Sequence, residues 1–344
     1  MNHQIIERLI NYWIASSEYN FPREKRFKIP GFDLKNNLNN IYEIESELSE
    51  KIIKSISQVN HNKVNRSSIK KWDDGWGQNL RDIRKNKSIE PYIVPYYFGK
   101  YPLSRVLGKL ISSSSFKLPK DIDQIQIPKW DMPTLERWNS LEHNLVRLMM
   151  HNLIYIPFFQ EIIKSNYKEI YFYEFGAGTT HNLYFLEKFV RFYLPEINAK
   201  FIALDWSKST GEIIESLGSN FKYEFINYYE PESFPEIKEN SFIFSLASLE
   251  QINISSERII NYIADSKPKI VINIEPIYQT LSKNSPVDMQ SIKYMKDRNY
   301  LPDFLSSLLR IKMLHHNNLD FKLFRSGIGS QFIDGYSVVQ WGAQ

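Results

Sequence analysis

The 344-residue sequence contains no cysteine. Disulfide bonds, thiolate catalysis and zinc sites with cysteine ligands are therefore excluded. No apolar run reaches the roughly 20 residues that a membrane-spanning helix needs, and the amphipathic stretch 1–16, which contains Glu7 and Arg8, does not resemble a signal peptide. Together with 42% hydrophobic and 24% charged residues, these absences predict a soluble, cytoplasmic, globular protein.

A strong excess of charge is also missing. Lys and Arg number 43 against 39 Asp and Glu, which gives a formal net charge of +4. This excess is too small to indicate nucleic-acid binding, and the densest basic runs, 63–71 and 81–87, are interpreted as solvated faces. We therefore expect no nucleic-acid partner and no membrane span.

The chain divides into two regions of different pattern. Apolar residues recur at helical spacing within the stretch 1–150, and a serine run with several prolines in 112–131 predicts a loop-rich connector. From 151 to 344, short apolar strands alternate with helical patterns. We therefore predict a mainly helical N-terminal cap or substrate region, 1–150, and an open, doubly wound α/β sheet domain, 151–344.

The stretch 168–183 organises the second region. It begins as an alternating strand that contains Glu174, breaks at Gly176 and Gly178, and continues as a helix. A strand, a glycine turn and a helix form the geometry in which backbone approaches a nucleotide-like ligand closely. A dinucleotide turn carries a third glycine so that a pyrophosphate fits, but His181 stands at that position. Glu174 would repel phosphates and suit a cationic ligand.

Polar residues follow the other predicted strands. Ligands of such sheets bind at the carboxyl ends of the strands. The second strand ends at Asp205, which suits ribose hydroxyls, and Trp206 beside it suits stacking on an adenine. The third strand ends at Asn227, which suits the adenine edge, the fourth leads into 247–252, and the fifth ends at Glu275.

The pattern Glu174-x-Gly176-x-Gly178 resembles motif I of the class I S-adenosylmethionine (SAM)-dependent methyltransferases. The resemblance covers about residues 165–344. Asp205 matches the acidic residue that closes the second strand of that family, and 249–251, Leu-Glu-Gln, resembles its Leu-Glu-His after the fourth strand. The resemblance implies a Rossmann-like, seven-stranded methyltransferase sheet with a helical N-terminal domain.

The family resemblance also implies a cofactor and a reaction. SAM would donate a methyl group by in-line displacement, which needs positioning above all, and a base if the acceptor is a hydroxyl. The base candidates are His181, Glu250 and Glu275. Alternatively, His181 is a partly exposed residue in the first turn of a helix, Glu250 braces a loop or caps a helix, and Glu275 binds the substrate. The residues expected to bind SAM are Glu174, Gly176, Ala177, Gly178, Thr179, Asp205, Trp206, Asn227 and Ser248.

An unusual segment, 72–80, combines two tryptophans with two carboxylates and amides. Aromatic rings stack on the C–H faces of a polyhydroxylated ligand, and polar groups bind its hydroxyls. The other interpretation is a loop whose tryptophans pack into the core. On the first interpretation, the candidate substrate residues are Trp72, Asp74, Trp76 and Tyr96.

The closing stretch 335–341 and the long helical N-terminal region are similar to sugar O-methyltransferases of bacterial surface-glycan and natural-product loci. We therefore expect methyl transfer to a hydroxyl of a sugar, a nucleotide sugar or a similar polar small molecule, with N-methylation left open. No metal is expected, since no tight Asp/Glu cluster appears. The alternatives are a non-catalytic Rossmann-like module that binds SAM or a partner, and an NAD-dependent oxidoreductase, which the missing third glycine and Glu174 disfavour. A homo-oligomer is possible.

Overall fold

The computed structural model describes residues 69–86, 151, 153–165, 167–251, 254–281, 283, 286–314, 319–325 and 336–343. The predictions made for 1–68 and 87–150 lie outside these residues. They include most of the helical N-terminal pattern, the serine-rich connector, the domain boundary and Tyr96.

The predicted doubly wound sheet of seven strands is confirmed. Its order is β3-β2-β1-β4-β5-β7-β6. The first five strands are parallel, and β7 runs antiparallel to both β5 and β6. The order reverses between β1 and β4, which is the place where such sheets bind ligands. The strands are β1 (Glu169–Phe175), β2 (Asn198–Asp205), β3 (Phe221–Phe225), β4 (Phe242–Leu246), β5 (Ile270–Glu275), β6 (Leu319–Arg325) and β7 (Ser337–Ala343).

Helices connect the strands and cover the sheet. The stretch 286–314 forms two helices and not one, because Asn299 and Leu301 adopt φ angles of 54° and 43°, which a right-handed helix does not allow. No helix in the described ranges is long and apolar enough to cross a membrane. The helices are α1 (Ile69–Asn86), α2 (153–165), α3 (His181–Tyr193), α4 (Lys208–Glu215), α5 (Glu257–Asp265), α6 (Pro286–Asp297) and α7 (Phe304–Leu314).

Alternation along β1 separates two apolar layers, one on each face of the sheet. Phe172 lies in the layer that includes Phe158 of α2, whereas Tyr173 and Phe175 lie in the layer that includes α5 and α7. Side chains of a strand alternate between the two faces. Glu174 therefore projects towards the side of the sheet that α2 and α3 cover, where its buried carboxyl group contacts polar groups of α3.

The loop interpretation of segment 72–80 is wrong, because these residues belong to α1. Trp72, Trp76 and Leu80 recur every four residues, which places them on one side of a helix. Gly77 allows α1 to approach α4 closely, since a Cβ at this position would lie 3.3 Å from the Ser209 hydroxyl. Packing against α4 thus offsets the low helix propensity of the glycines.

Candidate active site

The turn after β1 has a left-handed backbone at every second residue. The φ angles are 68° at Gly176, 54° at Gly178 and 62° at Thr180. A Cβ at Gly176 would lie 2.4 Å from the Ser248 Cβ, and one at Gly178 would lie 2.9 Å from the Trp76 indole. Both glycines are therefore required by conformation and by space. Thr180 precedes α3, but its side chain makes no capping hydrogen bond.

This glycine turn lines a cleft at the carboxyl ends of β1, β2 and β4. The cleft opens to solvent, and about 990 Å³ of non-atom space lies within it when the solvent at its mouth is counted. Most of the residues expected from the sequence meet here: Trp72, Trp76, Glu174, Gly176, Ala177, Gly178, Thr179, His181, Asp205, Trp206, Ser248 and Glu250.

Asp205 is fixed by backbone groups on both sides. Its Oδ2 accepts a hydrogen bond from the Gly178 N–H at 2.8 Å, and its Oδ1 accepts one from the Ser207 N–H at 2.8 Å. Burial raises the pKa of Asp205 to about 6, although these hydrogen bonds oppose the rise. Because a carboxylate oxygen accepts about two hydrogen bonds, Asp205 keeps acceptor capacity for a pair of ligand hydroxyls.

Glu174 is buried beside the turn. Its Oε1 accepts a hydrogen bond from the Asn182 amide at 2.5 Å, and the Asn182 Oδ1 lies 3.0 Å from the His151 Nε2. Its Oε2 has no hydrogen-bond partner among the described residues. Burial raises the pKa of Glu174 to about 8. A donor or a cation on a ligand would satisfy this carboxyl group.

Glu275 is a brace and not an open base. Its Oε1 accepts hydrogen bonds from the N–H groups of Ser248 and Leu249, both at 3.2 Å, and its Oε2 accepts one from the Glu250 N–H at 3.3 Å. Glu275 is not among the residues that line the cleft. It therefore holds the loop after β4, which places Glu250 and its neighbours at the cleft.

Glu250 does line the cleft. Its Oε1 accepts a hydrogen bond from the Gln251 amide at 2.8 Å, whereas its buried Oε2 has no partner among the described residues. Burial, reinforced by the charge of Glu275, raises the pKa of Glu250 well above its usual value. Of the three predicted base candidates, Glu250 combines access to the cleft with an oxygen that is available to accept a proton.

His181 begins α3 and lines the cleft. Its Nδ1 lies 3.4 Å from the Thr179 hydroxyl, and its ring centroid lies 6.1 Å from that of His151. His181 is 8% exposed, so it is buried and not the partly exposed helix residue of the alternative interpretation.

Asn227 and Asp74 are placed differently from the other candidates, because neither is among the residues that line the cleft. Asn227 Oδ1 accepts a hydrogen bond from the Tyr229 N–H at 3.1 Å and so shapes the turn that brings Tyr228 and Tyr229 to the cleft. Asp74 is exposed. The carboxyl of α1 that contacts the sheet domain belongs instead to Asp73.

Seven further cleft residues were not among the predicted site residues: Asn182, Tyr228, Tyr229, Leu246, Ala247, Gln251 and Tyr336. Tyr229 stacks on Trp206, with 6.1 Å between the ring centroids. The sequence signal for Tyr228 and Tyr229 was their position just after a strand that ends at the ligand-binding edge. Tyr336 directly precedes β7 and carried no comparable signal, because only the antiparallel pairing of β7 with β5 brings the start of β7 to the carboxyl end of β5.

The cleft has an acidic lining. Three buried carboxyl groups, those of Glu174, Asp205 and Glu250, reach it, whereas neither Lys nor Arg occurs among its described lining residues. Buried carboxylates favour a cationic ligand and oppose a phosphate. In the described part of the chain, no group of three or more potential ligands is arranged to hold a metal ion.

No protein-family model matches the sequence, and no curated protein is significantly similar to it. Among solved structures, the chain is similar to the plantazolicin methyltransferase BamL in complex with a triazolic desmethylPZN analog and SAH. The identity is 15%, over 61% of this chain and 88% of that one, with a TM-score of 0.41.

Two carbon methyltransferases show a comparable similarity. CurJ is 11% identical over 99% of this chain and 98% of its own, with a TM-score of 0.45. DszA is 10% identical over 93% and 98%, respectively, with a TM-score of 0.43. Similarity at this level assigns neither a cofactor nor an acceptor to this chain.

Proposed function

We propose that this protein is a SAM-dependent methyltransferase. The observation that carries the proposal is the cleft itself, where the glycine turn adjoins Asp205 and three buried carboxyls face no Lys or Arg among the described lining residues. SAM carries a sulfonium, an ammonium group and a ribose. Asp205 suits the ribose hydroxyls, and the Glu174 Oε2, which has no hydrogen-bond partner among the described residues, suits a cationic group.

The same charges disfavour an NAD-dependent oxidoreductase. A dinucleotide places its pyrophosphate at the helix N-terminus that follows the glycine turn. Here α3 begins at His181, and the buried Glu174 carboxyl is hydrogen-bonded to Asn182 in the first turn of the helix. A carboxylate at this position opposes a pyrophosphate.

Glu250 is the proposed base. When bound, SAM would supply an electrophilic methyl group, and its sulfur would keep the electron pair of the bond that breaks when the acceptor oxygen takes the methyl group. The acceptor hydroxyl passes its proton to the Glu250 Oε2, the oxygen without a hydrogen-bond partner among the described residues. Gln251 fixes the other oxygen, and Glu275 holds the backbone of the loop. A positioned carboxylate of this kind contributes about 10²–10⁴-fold to the rate.

We further propose a hydroxyl of a sugar or of a similar polar small molecule as the acceptor. Support comes from the aromatic walls of Trp72 and Trp76, whose ring centroids lie 5.5 Å apart, next to hydrogen-bonding groups such as Gln251. Aromatic faces with nearby polar groups suit a sugar ring. The acidic lining favours a neutral sugar over a nucleotide sugar, because a pyrophosphate would meet carboxyl groups and neither Lys nor Arg among the described lining residues.

Calorimetric titration with S-adenosylhomocysteine (SAH), with NAD in a parallel run, tests the cofactor. We expect micromolar binding of SAH and none of NAD; binding of NAD alone would overturn the proposal. Transfer of labelled methyl groups from SAM to neutral glycosides, compared with nucleotide sugars and amines, then tests the acceptor. Tight SAH binding without transfer to any of these would favour the non-catalytic module.

A further inference from the structure

Helix α1 contacts the glycine turn, which lines the cleft, and the start of α4, which does not. The Trp76 indole lies against Gly178 of the glycine turn, where an added Cβ would approach it to 2.9 Å, and Gly77 packs against Ser209 at the start of α4. The Thr210 hydroxyl of α4 donates a hydrogen bond to the Gly178 carbonyl at 2.7 Å. The glycine turn, α1 and α4 are thus packed together.

Asp73 makes polar contacts between α1 and the start of α4. Its Oδ1 accepts hydrogen bonds from the Ser207 hydroxyl at 2.7 Å and from the Ser209 N–H at 2.9 Å, and its carbonyl accepts one from the Ser209 hydroxyl at 3.3 Å. Burial tends to raise the pKa of Asp73, but these hydrogen bonds and the charge of Lys208 lower it below its usual value. The contacts therefore favour the carboxylate.

Asp73 takes the capping role that Ser207 would ordinarily have. Ser207 is the N-cap residue of α4, yet its side chain makes no capping hydrogen bond. Its hydroxyl is instead bound to Asp73, and the Asp73 carboxylate accepts the Ser209 N–H of the first helical turn. A side-chain acceptor at this place satisfies one of the unpaired N–H groups of a helix start.

Ser207 also joins Asp73 to Asp205. The hydroxyl of Ser207 donates to Asp73, while its backbone N–H donates to the Asp205 Oδ1 at 2.8 Å. Ser207 is fully buried, its hydrogen bond to Asp205 is buried, and its hydrogen bond to Asp73 is partly buried. The orientation of the Asp205 carboxylate therefore depends on a serine whose position is fixed from α1.

We propose that Asp73 is a positioning residue of the cofactor site. It caps α4 and, through Ser207, holds the Asp205 carboxylate in the orientation that binds the ribose hydroxyls. Asp73 itself is not among the residues that line the cleft, so it acts without touching the ligand. The ligand in this proposal rests on the proposed function, whereas the link from Asp73 to Ser207 does not.

The test measures SAH affinity and local hydrogen exchange in three variants of the 344-residue chain. In Asp73→Ala we expect an SAH Kd about tenfold higher, as for the loss of a good N-cap, and faster amide exchange at 207–209. In Asp73→Asn the amide oxygen accepts the same hydrogen bonds, so most of the affinity should return. Glu212→Gln breaks the exposed ion pair between α1 and α4 made with Arg84 and should leave the Kd unchanged.

The outcomes separate the two proposals. Unchanged exchange at 207–209 in Asp73→Ala overturns the capping link, and faster exchange with unchanged SAH affinity overturns the positioning role. If the unaltered protein binds no SAH, the proposed function fails, while the exchange data still decide whether Asp73 holds this segment. If Asp73→Ala does not fold, Ser207→Ala carries the test: a several-fold weaker SAH affinity supports the link, and unchanged affinity overturns it.

Discussion

The Oε2 atom of Glu275 accepts a hydrogen bond from the backbone N–H of Glu250 at 3.3 Å, so the two buried residues share one corner of the sheet edge. Three backbone N–H groups bind the Glu275 carboxylate, and burial still raises its pKa to about 7. Glu250 receives one hydrogen bond, from Gln251. Since hydrogen bonds to a carboxylate favour its charged form, Glu275 ionises first and Glu250 keeps its proton to higher pH.

The order in which Glu275 and Glu250 lose their protons predicts the pH dependence of methyl transfer. Glu250 must lose its proton to act as a base, and burial and the charge of Glu275 raise its pKa well above the usual value. The kcat/KM should therefore rise with pH only above the Glu275 pKa of about 7. Glu250→Gln should lower kcat by about 10²–10⁴-fold and abolish this rise. The SAH Kd should stay unchanged. A kcat that does not fall would mean that the acceptor needs no base, as for an amine.

Glu174 should lower the stability of the ligand-free protein at high pH. Burial raises its pKa to about 8, so the folded protein favours the protonated form more than the unfolded chain does. The unfolded chain therefore loses its proton first, and the free energy of unfolding falls as the pH rises from about 4.5 to about 8.

Glu174→Gln removes this dependence. Thermal unfolding without ligand should show a higher Tm than the unaltered protein at pH 8 and a similar Tm at pH 5, because the amide is never ionised. SAH should bind the variant more weakly, since the carboxylate that suits its cationic group is absent. An equal change of Tm at both pH values would contradict the ionisation argument and indicate a packing effect.

The sequence predicted the sheet and the glycine turn well because both depend on local patterns. The sequence alone shows the alternating strand that contains Glu174, the two glycines after it and the acidic residue Asp205 at the end of the next strand. In the structure, a hydrogen bond from the Gly178 N–H to the Asp205 carboxylate joins the glycine turn to that strand. The ends of parallel strands meet at one edge of a sheet. Strand order therefore brought distant residues into one cleft.

The features that the sequence missed arise from packing between distant elements. One interpretation of segment 72–80 was a loop, but the segment belongs to α1, and Gly77 is the point where α1 approaches α4. Glu275 appeared to be a base at a strand end, whereas its oxygens bind the backbone of a loop about 25 residues away. Asp73 and Asp74 are adjacent acids, and no sequence pattern told which one contacts α4.

Asp205 is expected to dominate cofactor affinity. Asp205→Ala removes the acceptor of the ribose hydroxyls and leaves the N–H groups of Gly178 and Ser207 without their partner. Losing hydrogen bonds to a charged group costs about 1.5–3 kcal/mol each, so the SAH Kd should rise about 100-fold in calorimetry. Glu215→Gln, which removes an exposed carboxylate of α4, is the control. An unchanged Kd would contradict the ribose assignment.

Gly178→Ala should disturb the turn in two separable ways. The φ angle of 54° costs about 1–2 kcal/mol for an alanine, and the new Cβ would lie 2.9 Å from the Trp76 indole. Shortening the indole in Trp76→Phe should remove the steric part alone. The destabilisation by Gly178→Ala, measured by denaturant unfolding, should thus be smaller in the Trp76→Phe background.

Gly218→Ala provides the matched control for this cycle. Gly218 has a φ of 124°, and an added Cβ meets nothing within 4 Å, so its cost is conformational only. That cost should be the same with Trp76 or with phenylalanine, because the site is open. If the destabilisation by Gly178→Ala is also the same in both backgrounds, Trp76 does not restrict the turn. The contact between α1 and the glycine turn then contributes nothing to stability. A coupling energy of about 0.5–3 kcal/mol between Gly178→Ala and Trp76→Phe, with none between Gly218→Ala and Trp76→Phe, would show that α1 shapes the turn.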